Sequence, residues 1–528
     1  MRLTVFNLSL IKKIGLLSLP VMLSNLLQTI IPAVDIFMIG QLGPIAISAV
    51  GLGNTLRLFV LVLLFSVSGG AISLIAQAKG SRDQRRMSFV ARQALVAGLL
   101  FSIFLGALGY FLASPLLNLM DQSGETTAVA LGVDYLHVLF LGTPFIVLNI
   151  VANKLMQGAG DMITPLYLTI ATVILNIGFN YIFIFGIGPI PAFGVIGAAI
   201  GTIIARGILL LVALYLFFSG KNVVQILEGS WRPNKELIRD IMEIGVPSGI
   251  QGVFRQGSNL IIIGIVTATS LGTYGAAVLA IGMQVEQLIA QPIVGMNVAA
   301  TTIIGQDLGR WQTQQAYEKG ILITIMGIIS MSLLILPVYL FSEQFIALFD
   351  PSGHPKIMMG GTSYFKYTLL ALAFSAIGIV VTGTLRGAGD TKPAMYSAII
   401  NRNIFQLGVG YWLAFPMGMS YEGVWLGIVA GRLLDALTMS TIWIKQHWVN
   451  VALQKTDIYR THLKDLSPKN LKKYLAEIRT PLMEQRGTLE KVNDREVIYE
   501  KEGKRRVIQF DGDGYRVAGS KGLLTFVN

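Results

Sequence analysis

The sequence predicts an all-α polytopic membrane protein: twelve transmembrane helices in two pseudo-symmetric six-helix bundles, plus a small cytosolic C-terminal tail. Two features of composition and one of spacing point there. Of 528 residues, 53% are hydrophobic and 13% charged, whereas a soluble globular chain carries about 25% charged residues. A single soluble core stops growing at roughly 250–300 residues, so this much apolar surface needs lipid as its solvent. The same short residue marks also recur about 229 positions apart, as described below.

A spanning helix needs about 20 mostly apolar residues. Such runs lie near 14–39, 46–77, 93–113, 133–155, 163–186 and 193–218, then near 241–269, 278–304, 320–341, 362–384, 394–416 and 422–444. We number these spans 1 to 12. The first is too long for a signal peptide and is not followed by a small-residue cleavage site. Strand-like alternation is absent, which argues against a barrel.

Basic residues set the expected orientation. Lys12 and Lys13 precede span 1. The 2–3 loop carries Lys79, Arg82, Arg85 and Arg86, and the 6–7 loop carries Lys221, Arg232, Lys235 and Arg239. Arg310 and Lys319 mark the 8–9 loop, and Arg386 with Lys392 the 10–11 loop. The alternate loops, Leu42 to Pro44, Asp121 to Glu125 and Gly186 to Pro191, are poor in basic residues. Both termini are therefore expected in the cytoplasm, with the chain in the cell (inner) membrane. Beyond residue 446 the composition changes, and 27 of 83 residues are charged. A helix-like stretch from Leu471 to Ile478 gives way to strand-like Val497–Tyr499 and Arg506–Phe510, broken by Asp511–Gly514. This tail reads as a small cytosolic appendage, either a β-meander or partly disordered, and dispensable for the core activity.

The repeat divides the rest. Met156-Gln-Gly-Ala-Gly-Asp161 recurs as Leu385-Arg-Gly-Ala-Gly-Asp390, Ile75-Ala-Gln77 as Ile304-Gly-Gln306 and Leu42-Gly43 as Leu271-Gly272, each 229 residues on; Leu19-Pro20 recurs as Val246-Pro247 at 227. An even number of spans per repeat keeps the halves parallel about the membrane normal. The expected organisation is one lobe over 1–220, a linker over 221–240, a second lobe over 241–445 and the tail over 446–528. Parallel repeats around a cavity describe a secondary transporter; a channel would need a filter-like loop, and none stands out.

The net charge of +12 follows the loops and tail rather than a basic stripe interleaved with aromatics, so no nucleic-acid partner is expected. The chain has no cysteine, which excludes disulfides, thiolate metal sites and cysteine nucleophiles. Glycine-rich segments lack the Lys-Ser/Thr of a nucleotide-binding loop. His137, the histidine deep in a span, suits packing or a hydrogen bond better than metal. No acid or His/Asp motif of a membrane-bound transferase stands out, so the chain is not expected to be an enzyme.

Asp35 is the sharpest single residue, a carboxylate within the apolar run Ile30–Ile39. A charge at membrane depth marks function by default, and burial raises a carboxyl pKa toward the range a proton carrier needs. Pro32 frees the carbonyl of Gln28 and makes span 1 bendable there; Pro20 lies nearer its start. Asn176 and Asn180 share one face of span 5. Counted inward from the span ends at about 1.5 Å per residue, Asp35, Asn176, Asn180 and Thr202 fall in one slab roughly 7–15 Å deep. Their oxygens suit either sodium or a protonated carboxylate network; helix–helix hydrogen bonding is the bland alternative.

Pro20 with Asp35, the segment Gly305-Gln-Asp-Leu-Gly309 and the paired Gly-Ala-Gly-Asp segments together resemble the multidrug and toxic compound extrusion (MATE) family, prokaryotic type, over residues 1 to about 445. The resemblance implies an antiporter that exports drugs or other amphipathic, often cationic, metabolites in exchange for protons or sodium by rocker-switch alternating access. It implies no organic cofactor, a small-molecule amphipathic substrate, the lipid bilayer as surroundings and a monomer. It places a cation site on spans 1, 5 and 6, matching Asp35, Asn176, Asn180 and Thr202. One branch of the family has a second Asp in span 5 where Asn180 stands, which tilts the expectation toward protons. In the sodium-coupled branch an acid occupies the position of Arg255, and another corresponds to a residue near Ser375, so that branch's second sodium site is not expected. A lipid-linked oligosaccharide flippase of the same broad superfamily is the alternative.

In the second half Glu286 remains as a substrate or second coupling site, either paired with Arg255 or meeting a cationic substrate. Arg432 and Asp435, at i and i+3, are expected to pair. Arg57, Arg206 and Arg402 need partners or cavity water, and several cavity arginines would favour an anionic or zwitterionic substrate. Gly158, Gly160, Asp161 and their repeats Gly387, Gly389 and Asp390 read as hinges or caps.

Overall fold

The structure is a computed structural model that describes residues 8–120, 126–350, 353–456 and five strand segments between 488 and 527. In hydrocarbon every backbone polar group must be satisfied within its own segment, and the apolar runs accordingly form helices. The first half comprises α1 (Leu8–Gly40), α2 (Pro44–Gly80), α3 (Gln84–Met120), α4 (Thr126–Leu141), α5 (Thr143–Gly158), α6 (Ile163–Phe185) and α7 (Val195–Phe218). The second comprises α8 (Lys235–Thr267), α9 (Tyr274–Ile289), α10 (Gln291–Gly309), α11 (Thr313–Leu340), α12 (Ser342–Phe349), α13 (Pro355–Gly387), α14 (Lys392–Ser397), a π-helical segment (Ala398–Gln406), α15 (Leu407–Ala414) and α16 (Ser420–Ile444); α17 (His447–Thr456) follows.

Seven of these helices are long and apolar enough to cross a membrane by themselves, among the described residues. Spans 4 and 8 depart from the expected continuous helices. Each is a pair, α4 with α5 bent by 51° and α9 with α10 bent by 47°. Pro144 and Pro292 sit in the first turn of the second member, where a proline lacks the N–H and crowds the carbonyl four residues back. The remaining spans are α2, α8 and the stretch from α14 to α15. In α8 the apolar stripe is diluted by Gln251, Arg255, Gln256 and Asn259. In span 11 the π-helical segment interrupts the α-helix. The sequence order of the elements thus gives twelve membrane segments, six on each side of the connection between α7 and α8.

The tail strands β1 (Thr488–Asn493), β2 (Glu496–Lys501), β3 (Lys504–Asp511), β4 (Gly514–Ala518) and β5 (Leu524–Val527) pair in order as an antiparallel meander. The meander alternative of the sequence reading matches these strands. The helix-like stretch 471–478 and the loop 121–125 lie outside the described residues, as does the side chain of Arg57.

The halves meet at the end of the bundle that carries the 2–3, 8–9 and Gly-Ala-Gly-Asp connections, and they meet through the repeat itself. Gln77 Nε2 and Ser73 Oγ donate to the carbonyl of Gly387 at 3.1 and 3.4 Å. Their equivalents 229 residues on, Gln306 and Thr302, donate to the carbonyls of Gly158 at 3.4 Å and Gln157 at 2.9 Å. Gly80 lies against the backbone oxygen of Gln306 and Gly309 against that of Gln77, so closely that a Cβ at either would overlap the oxygen. Residues read only as repeat marks are therefore a reciprocal latch. Beside it Asp307 accepts from Lys319 Nζ at 2.7 and 2.9 Å.

Candidate functional site

α1 runs from the latched end toward the other and carries Asp35 five residues before its last residue, Gly40. Its helix continues through Pro20 and Pro32. α6 presents Asn176 and Asn180 on one face, and α7 presents Thr202. The four side chains meet. Asn180 Nδ2 donates to Asp35 Oδ1 at 2.6 Å and lies 3.5 Å from Asn176 Oδ1, while Asn176 Nδ2 donates to Thr202 Oγ1 at 3.1 Å. All four are buried, Asn180 completely. Gly201 makes this possible, since a Cβ there would overlap Asn180 Oδ1. That oxygen has no hydrogen-bond partner among the described residues. Counting depth along each helix axis had grouped these four residues, and packing supplies the contacts.

The second half departs from expectation in its pairings. Glu286 does not pair with Arg255. Its Oε2 accepts from Arg432 at 2.6 Å and its Oε1 from the Tyr364 hydroxyl at 2.9 Å, while Arg432 also donates to the carbonyl of Thr368 at 2.8 Å. Trp425 packs its edge against Tyr364, ring centroids 4.9 Å apart. Arg432 therefore does not pair with Asp435, which accepts from Ser397 Oγ at 2.6 Å instead; Asn401 bonds that serine and Thr438. The i, i+3 spacing permits an ion pair, but Asp435 is held by Ser397, and the part-buried carboxylate on α9 that also binds Tyr364 takes the guanidinium. Tyr364 was missed by the sequence reading, because a tyrosine in an apolar span carries no charge to flag it. Ser375 is buried on α13.

Arg255 is exposed on α8. Its electrostatic neighbours are Arg402 of the π-helical segment and Arg386 of α13, and Arg386 in turn neighbours Lys154 of α5. Lys154, a lone ammonium in an otherwise apolar span, was legible in the sequence but not singled out.

The glycine motifs are caps. Gly160 and Gly389 adopt φ of +92° and +79°, the left-handed turn that ends a helix. Behind them Asp161 N bonds Met156 O at 3.0 Å and Asp390 N bonds Leu385 O at 2.9 Å. Asp161 also accepts from Thr164 N at 3.0 Å at the start of α6 and from Asn222 Nδ2 at 2.8 Å. His137 stacks on Tyr110 with centroids 4.0 Å apart. No group of three His, Asp or Glu side chains suited to a metal ion occurs among the described residues.

The profile of the MatE family matches residues 20–182 and 247–412, once in each half. A probable multidrug resistance protein NorM of Thermotoga maritima is 27% identical over 441 residues, covering 83% of this chain and 93% of that protein. A MATE crystal structure in a bent conformation superposes with a TM-score of 0.76 at 25% identity, covering 84% of this chain and 97% of its own. A transporter of the MOP superfamily from Pyrococcus furiosus, described as having a binding pocket of reverse polarity, superposes with a TM-score of 0.75 at 25% identity, covering 84% and 96%. With its profile matched in both halves and its fold shared over 84% of its length, the chain belongs to the MATE family of multi-pass membrane transporters.

Proposed function

We propose that the protein is a multidrug exporter that exchanges amphipathic compounds for protons, with Asp35 as the proton carrier. The observation that carries this is the buried contact of Asp35 with Asn180, itself held by Asn176. An amide can face a carboxyl either way: its N–H donates to the ionised form, and its oxygen accepts from the protonated form. Asn180 has both options, since its oxygen is otherwise unpartnered. Sodium fits less well, because the site offers one formal charge and an N–H points at it.

The basic loops support a latched end in the cytoplasm, with both termini there and the membrane being the cell membrane. The latched state is then closed to the cytoplasm. Proton uptake at Asp35 would release Asn180, let α1 bend at Pro32 and loosen its packing against the second half, so that the two lobes rock about the cavity between them. The lobes of this cycle are residues 1–220 and 241–445, joined by 221–240.

Counterflow in proteoliposomes tests the assignment. A pH gradient is expected to drive ethidium exchange by the wild type, and Asp35→Asn is expected to abolish that response while leaving ethidium binding intact. Wild-type rates in Asp35→Asn would remove Asp35 from the coupling step. Exchange driven by a sodium gradient alone would replace the proton with sodium.

A further inference from the structure

The mechanism above leaves four basic side chains unused. Lys154 lies in the first half; Arg255, Arg386 and Arg402 lie in the second. Arg386 Nε and Ser248 of α8 both border Gly69 of α2, and Ser248 lies two turns before Arg255 on α8. Ser258, one turn beyond Arg255, donates to the carbonyl of Arg402 at 3.4 Å. Lys154 lies one turn before Gln157, whose carbonyl accepts from Thr302 of the second half at 2.9 Å. The four are electrostatic neighbours in series, Lys154 to Arg386 to Arg255 to Arg402. Groups from both halves can be neighbours only where the halves face each other, so this row lies where the two halves meet. Arg386 confirms the placement, since its Nε lies near Gly69 of α2, 3.9 Å from where a Cβ would stand.

None of the four is neutralised by a carboxylate among the described residues. Three span acids are engaged elsewhere: Glu286 with Arg432 and Tyr364, Asp435 with Ser397, Asp35 with Asn180. The basic groups have only neutral partners, Lys154 with Gln157 Oε1 at 2.8 Å and Arg386 with Asn297 Oδ1 at 3.2 Å. The buried Arg386 Nε has none. The repeat does not require them either, for Gln157 stands where Arg386 stands in the other half, and Gly383 where Lys154 does. Arg402 sits in the π-helical segment Ala398–Gln406, and such widened turns concentrate at functional sites.

Charged groups within spans mark a substrate path, and an uncompensated row of cations favours an anionic ligand over a cationic one. We infer that the space between the halves is an oxyanion-binding site whose ligand is an amphipathic molecule bearing a carboxylate or phosphate, held by Arg255, Arg402 and Arg386 with Lys154 opposite. Guanidinium groups suit this ligand through paired N–H donors to two oxygens. The inference rests on the export reading for why a ligand enters and leaves, but it can be tested apart from it.

The test uses the full chain in phosphatidylcholine nanodiscs, with carboxyfluorescein as the anionic probe and ethidium as the cationic one, read by fluorescence anisotropy. Losing one charge-assisted contact should weaken carboxyfluorescein binding roughly tenfold to hundredfold. Arg255→Gln and Arg402→Gln should each do so and leave ethidium unaffected or tighter, whereas Arg255→Lys, which keeps the charge, should lose less. Equal carboxyfluorescein affinity in wild type, Arg255→Gln and Arg402→Gln overturns the inference, as does tighter binding of ethidium than of carboxyfluorescein by the wild type. Phosphatidylglycerol added to the nanodiscs separates the sources. Competition lost in Arg402→Gln identifies a lipid headgroup phosphate, and no competition identifies a soluble anion; either result upholds the oxyanion site. If ethidium exchanges down a pH gradient while carboxyfluorescein does not bind, export stands and the anion site falls. If carboxyfluorescein binds through the arginines and neither probe is exchanged, the anion site stands and export falls.

Discussion

Alanine at Gly80 and Gly309 should open the latched end. The two positions are repeat equivalents, each packed against the backbone oxygen of Gln306 or Gln77, and a Cβ at either overlaps that oxygen. The oxygen belongs to helix backbone and cannot rotate away, so α2 and α10 must separate. Overpacking of this kind costs about 1–3 kcal/mol. The same separation stretches the bonds from Gln77 and Gln306 to the opposite half, each contributing about 0.5–1.5 kcal/mol net. Taking about 2 kcal/mol per alanine, each substitution shifts the balance against the latched state roughly 30-fold, and both together roughly a thousandfold. The chain has no cysteine, so spin labels at Ser81→Cys and Arg310→Cys, one residue beyond each glycine, report the separation by double electron–electron resonance without background. The unsubstituted pair should show one short distance, and Gly80→Ala/Gly309→Ala a longer one. Gly305→Ala, whose Cβ would lie 2.7 Å from the Cβ of Ala76, should have a smaller effect because the overlap there is shallower. An unchanged distance distribution in the double variant would refute the latch.

Removing Arg432 strands the part-buried Glu286 carboxylate, a loss that stays below the about 3–5 kcal/mol of a fully buried broken pair, so Arg432→Ala should lower the thermal unfolding midpoint in detergent, and Glu286→Gln with Arg432→Met should recover most of it. Gly201→Ala should push Asn180 off Asp35 and lower pH-driven exchange at least tenfold, whereas Gly207→Ala, whose Cβ would meet the Phe145 ring at an ordinary 3.5 Å, should leave exchange unchanged. Alanine at Gly389 must adopt φ near +79° at a cost of about 1–2 kcal/mol, visible as a lower unfolding midpoint with exchange retained. Deleting residues 457–528 should leave exchange in proteoliposomes at the wild-type rate; its loss would make the tail part of the transport machinery.

Residue spacing by itself determined the membrane class, the twelve spans, the repeat and the depth of each polar group. Hydrophobic length is counted along the chain, and a helix converts residue number into height at a constant rise. That is why Asp35, Asn176, Asn180 and Thr202 could be grouped before their contacts were seen, and why Gly160 and Gly389 read as caps. Height carries no information about rotation or about which helices are neighbours. Tertiary packing therefore decided that Arg432 turns to Glu286 rather than to Asp435, that Gln77 and Gln306 reach across to the opposite half, and that four basic groups scattered over 249 positions, from Lys154 to Arg402, form one row. It also decided where spans 4 and 8 bend, because a proline in lipid can be absorbed by a neighbouring helix or can break its own, and α1 continues through two prolines while α5 and α10 begin at one. The excess of span arginines over acids was visible in the sequence; only the packing brought Arg386 beside α2 of the opposite half.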